Sequence, residues 1–129
     1  MTSAQLPPLT THEEDELKSA LARIVPATAD TVTVDDLLMR WSVLIGEVER
    51  GYKLTAYDYT NDLSARDRLE KLSTLLSPEL RGKLMNVLAP LDERFVSATE
   101  TTTHPLSDHP HMWWRRIPRK RDPEFDETM

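Results

Sequence analysis

The chain has 129 residues, with 16 Lys and Arg against 22 Asp and Glu and no cysteine. That length fits one domain whose core closes without cross-links. The missing cysteines exclude disulfides and thiolate metal sites, and no run approaches the ~18 continuous apolar residues of a membrane span.

Residues 1–10 hold Pro7 and Pro8 in a polar setting and read as a disordered N-terminus. The stretch MTSAQLPPLTTHEEDEL lacks the basic region and apolar run of a signal peptide, so a cytoplasmic protein is expected. Thr11-His12-Glu13-Glu14 has capping-box spacing, and the acids from Glu13 to Glu16 suit the positive end of a helix dipole. Leu17, Leu21 and Ile24 share a face, and Pro26 stops the helix, giving about 11–25.

Thr33-Val34-Asp35-Asp36 starts the next element, about 34–50. Leu37, Leu38, Trp41, Leu44, Ile45, Val48 and Tyr52 recur at three- and four-residue steps, the strongest periodicity in the chain, which marks the central core helix. Gly51 suits its left-handed end.

Residues 56–76 do not fit one straight helix. Tyr59 and Leu63 share one face, Leu69, Leu72 and Leu76 another, and six residues from Leu63 to Leu69 turn the helix by about 600°, placing the two sets some 120° apart. Two cap spacings, Thr55 to Asp58 and Ser64 to Asp67, point to a short helical turn near 56–62 followed by a new helix at about 65–76. Asn61 and Asp62 fall at the joint, where such side chains satisfy free amides. Tyr59 and Leu63 pack the corner, and Arg66 or Arg68 pairs with a nearby acid. With Tyr52 and Tyr57 this corner holds all three tyrosines of the chain, more than it can bury. Tyrosine and arginine are enriched in interface hot spots, so Tyr57, Asp58, Tyr59, Asn61, Asp62 and Arg66 form a candidate contact surface for a basic protein partner.

Ser77-Pro78-Glu79 opens the last helix, about 78–98, with the stripe Leu80, Leu84, Val87, Leu88, Leu91 and Phe95. Pro90 predicts a kink, and helix fades through Thr99 to Thr103. No segment alternates as a half-buried strand does. The fold class is therefore all-α, a bundle of about four helices over residues 11–103, followed by an irregular Pro-rich C-terminal tail, 104–129.

Within the tail, His104, His109 and His111 are metal-ligand types, but their segment HPLSDHPHM reads as a loop of solvated histidines, and no metal site is expected. Up to Met112 the chain has 11 Lys or Arg against 18 Asp or Glu, a net of −7. Residues 113–121 then carry five cations beside Trp113 and Trp114. Trp113, Trp114, Arg115 and Arg116 have three readings: a clamp docked on the acidic bundle, stacking and phosphate contacts with nucleic acid, or a membrane-surface anchor. The acidic body favours the clamp, and no membrane contact is expected.

The run GYKLTAYDYTNDLSARDRLEKL, with SPELRGKL and PLDERF after it, resembles a group of small, uncharacterised helical proteins of high-GC bacteria over about residues 35–100. In size and charge the chain is also similar to immunity and antitoxin proteins. The first resemblance implies a helical fold and a bacterial origin. There is no Gly-rich phosphate loop, GxSxG elbow or HExxH pair, so neither enzyme activity nor a cofactor is expected. The expected function is a non-enzymatic interaction module, in its sharpest form an immunity- or antitoxin-like inhibitor that occludes a basic protein; the alternative is a nucleic-acid-associated regulator working through the tail.

Overall fold

In a computed structural model the described residues are 5–24, 32–102 and 112–129. They form α1 (Thr11–Ile24), α2 (Val34–Arg50), α3 (Ala56–Asp62), α4 (Ser64–Leu75), α5 (Pro78–Ala98), a strand pair β1 (Thr99–Glu100) and β2 (Ile117–Pro118), and α6 (Pro123–Glu127). The all-α bundle follows from one amphipathic helix at its centre. α2 packs its apolar stripe against α4 and α5, and α1 packs on α4. Leu37, Leu38, Trp41, Leu44, Ile45 and Val48 meet Leu69, Leu72, Leu84, Leu88 and Phe95 in one continuous core. Leu6 and Leu9 also lean on that core from the segment read as disordered.

Helix starts obey the capping rules with local corrections. Thr33 and Asp36 close a full capping box on α2, and Thr55 and Asp58 close another on α3. At α1 the box sits one residue earlier than its spacing suggests, between Thr10 and Glu13. Ser77 precedes α5 as expected, yet its side chain makes no cap bond; its amide and hydroxyl both donate to Glu16 of α1, at 2.6 and 2.9 Å. Glu16 thus ties two helices together. α5 runs unbroken through Pro90, which lies on the exposed side.

The corner at 56–76 breaks where the two apolar faces disagree. Leu63 alone separates α3 from α4, and its buried side chain shares the α3 face with Tyr59. Ser64 does not cap α4: that position falls to Leu63, which has no side-chain bond to give. The Asp67 carboxylate, which would complete a box with Ser64, is taken by the tail instead. Thr33→Ala is therefore expected to cost about 1 kcal/mol, whereas Ser64→Ala should stay within roughly 0.5 kcal/mol of wild type; urea denaturation of the two variants checks this contrast.

The C-terminal tail is not irregular throughout. β2 pairs antiparallel with β1, matching Thr99 to Pro118 and Glu100 to Ile117. Tyr52 donates its amide to Lys120 and accepts from the Asp122 amide, at 2.8 and 3.3 Å. Trp114, Ile117 and Phe125 all belong to the core.

Candidate functional site

Tyrosine burial divides the corner. Tyr52 and Tyr59 are fully buried and meet Phe125 of α6 in edge-on contacts, with ring centroids 5.1 to 6.0 Å apart. The Tyr52 hydroxyl donates to Asp62 at 2.7 Å, and that of Tyr59 to the Arg116 carbonyl at 2.5 Å. Tyr57, in contrast, is 73% exposed. Of the remaining expected contact residues, Asp58 is engaged in the α3 cap, Asn61 is exposed, and Arg66 is 2% exposed. Tyr59 and Arg66 are therefore core residues, absent from any contact surface.

Burial, with the Asp62 carboxylate beside it, pushes the Tyr52 hydroxyl far above the usual tyrosine range. Burial pushes Tyr59 the same way, against the opposing pull of Arg115 and Arg116. A group whose folded pKa is raised contributes stability in full below its unfolded pKa, here about 10, and loses it as pH rises further. Each buried tyrosine should therefore remove up to about 1.4 kcal/mol per pH unit above that point. In a Tyr57→Phe background, tyrosinate absorbance should appear only as helical circular dichroism collapses; ionisation with the helices intact would contradict the burial.

Arg66 is the centre of a network that joins the bundle to the tail. Its Nε and Nη2 donate to the two oxygens of Asp92 at 3.1 and 2.9 Å, and Nη1 reaches Glu70 at 3.0 Å. The guanidinium lies against both Trp113 and Trp114, 5.4 and 4.9 Å from the rings. Trp41 Nε1 donates to the same Asp92 at 3.0 Å. On the other side, Trp114 Nε1 and Arg115 both donate to Asp67, at 2.7 and 2.5 Å. Arg116 donates to the Thr99 hydroxyl and carbonyl. Trp114 is 1% exposed and Trp113 40%. Arg115 keeps Nε and Nη1 buried without a hydrogen-bond partner among the described residues. The four tail residues marked in the sequence thus form one docked unit. Asp67 accepts from the tail, and the sequence marks it only as a cap acid for Ser64; Glu70 and Asp92, which hold Arg66 beneath the tryptophans, carry no sequence signal beyond the helical spacing of Arg66 and Glu70.

A concave surface runs along α2. Met39 and Val43 on α2 and Leu54 in the following loop are each about half exposed, and they line a groove of about 630 Å³ with Leu44 and Ala65. Among the described residues that line it, Asp36, Glu47 and Asp62 are the acids and Arg40 is the one cation. The Thr33 amide bond holds the Asp36 carboxyl below its usual range, so it is anionic at neutral pH. Asn61 lines the same groove, and Tyr57 lies one helical turn before it on that face of α3. The structure thus brings Asn61 and Asp62 to the groove, leaves Tyr57 out of its lining, and adds Met39 and Val43, which the core periodicity of α2 leaves unmarked, and Leu54.

Among the described residues no group of three acidic or histidine side chains is placed to hold a metal ion. His104, His109 and His111 lie outside the described residues. Among the described residues no helix is long and apolar enough to cross a membrane. In comparisons with known proteins, no family model matches the chain, and no curated protein or solved structure matches it.

Proposed function

We propose that the protein is a non-enzymatic interaction module whose groove along α2 receives a basic protein partner. One observation carries this reading: three half-exposed apolar side chains, Met39, Val43 and Leu54, line a groove whose described lining residues include three acids, Asp36, Glu47 and Asp62, and one cation, Arg40. An apolar floor supplies affinity and the acids supply steering and register. In its sharpest form the module is an immunity- or antitoxin-like inhibitor that works by occlusion. The alternative, nucleic-acid binding through the tail, is less well supported, because Trp114 is buried and Arg115, Arg116 and Arg121 are bonded within the fold.

The test is a paired pull-down from the native host, with wild type and a Met39→Asp, Leu54→Asp double variant as baits. A basic protein held by wild type, lost from the variant and released by salt supports the reading. Equal capture by both baits, or capture of nucleic acid by both, overturns it.

A further inference from the structure

Seven residues of α2 project from one side of the helix: Asp36, Met39, Arg40, Val43, Gly46, Glu47 and Arg50. All lie within about 60° of Val43 around the axis, and they span about 21 Å along it. Each is exposed or half-buried, while the opposite side of α2 is core. Arg50 folds back over Gly46, so that a side-chain carbon added at Gly46 would meet its Nη1 at 3.2 Å. The guanidinium therefore lies on this face, beside its central residues.

The charges on the face reverse in sign about Val43. Asp36 lies seven residues before it and Arg50 seven after; Arg40 lies three before and Glu47 four after. Arg40, Glu47 and Arg50 form no ion pair within the chain among the described residues. A face of this kind is complementary to itself when a second copy lies antiparallel across it, because a two-fold axis brings each position onto its mirror position.

We infer that α2 pairs antiparallel with α2 of a second copy about a two-fold axis at Val43. The lateral positions agree as well as the heights. Arg40 and Glu47 fall on one side of the stripe, so Arg40 meets Glu47 of the second copy. Met39 and Gly46 fall on the other, so each Met39 enters the space above the other copy's Gly46 once Arg50 has moved off it. Val43 meets Val43, and Asp36 meets Arg50, which swings from its own Gly46 to reach it. Each contact occurs twice, apart from the central valine pair. The surface is that of a small interface, so the dimer forms and dissociates with concentration.

This pairing goes beyond the basic-partner reading and does not depend on it. The two share Asp36, Met39, Arg40, Val43 and Glu47, so a bound partner and the second copy exclude one another.

Sedimentation equilibrium on the purified full chain, from micromolar to millimolar concentration, tests the pairing without any partner. Wild type should pass from monomer to dimer. Arg40→Glu and Glu47→Arg each set like charges opposite one another twice and should raise the dissociation constant at least about tenfold. The double variant Arg40→Glu, Glu47→Arg restores opposite signs and should restore the dimer. Val43→Asp, at a half-exposed site, should abolish it, with thermal melting confirming that each variant is folded. A wild type that stays monomeric at millimolar concentration overturns the inference. So does a dimer indifferent to both single charge reversals, or one that the double variant fails to recover.

Discussion

Asp92→Ala is expected to destabilise the protein by about 3–5 kcal/mol, the cost of leaving a buried charge without its partner. Asp92 accepts two hydrogen bonds from Arg66 and one from Trp41, and Arg66 is almost wholly enclosed. Removing the carboxylate leaves Glu70 as the only anion among the described residues bonded to that guanidinium. The paired replacement Arg66→Met, Asp92→Leu removes both charges and should recover most of the loss, since a buried ion pair adds little over apolar side chains of similar volume. Urea denaturation of the single and paired variants measures both. A loss below about 1 kcal/mol for Asp92→Ala, the range of exposed pairs, would mean that Arg66 reaches water when its partner goes.

Truncation after residue 111 has a larger expected effect. It deletes Trp114, Ile117 and Phe125 from the core, at roughly 2–5 kcal/mol for each large side chain. Native domains are typically stable by only about 5–15 kcal/mol in all, so the shortened chain should lose cooperative unfolding altogether. It should also expose the faces of Tyr52 and Tyr59 that Phe125 covers. Trp114→Ala alone should cost about 3–5 kcal/mol. A truncated protein that melts cooperatively near the wild-type temperature would show that the bundle stands without its tail.

The sequence made α2 legible because seven of its side chains follow one helical period with no competing signal. The break at Leu63 was legible for a related reason: two apolar sets could not share one straight axis. Ser64 misled because a cap spacing does not reveal what else its acid can reach, and Trp114 and Arg115, more than 45 residues away, hold Asp67 more firmly. Asp92 was invisible on the same ground. Its partners lie 26 and 51 residues away, and nothing local distinguishes it from a solvated acid on α5. The groove was unreadable for a different reason. Met39 and Val43 are simply off the core stripe, and whether neighbours cover them depends on where α3 and α4 run. β1 and β2 hold two residues each, too few to show alternation.

The last turn of the described chain has a kinetic consequence. The Ala56 amide donates to Thr128, 72 residues later, and Tyr52 joins its backbone to Lys120 and Asp122. Helical bundles reach their folded state quickly because their contacts are close in sequence. Here the aromatic corner cannot close until two segments more than 60 residues apart have found each other, and the entropy of that search precedes any gain from Phe125. Refolding should accordingly be slower than for a bundle of this length with short connections, and the route out of the native state should begin with the tail lifting from Tyr52 while α2, α4 and α5 are still packed.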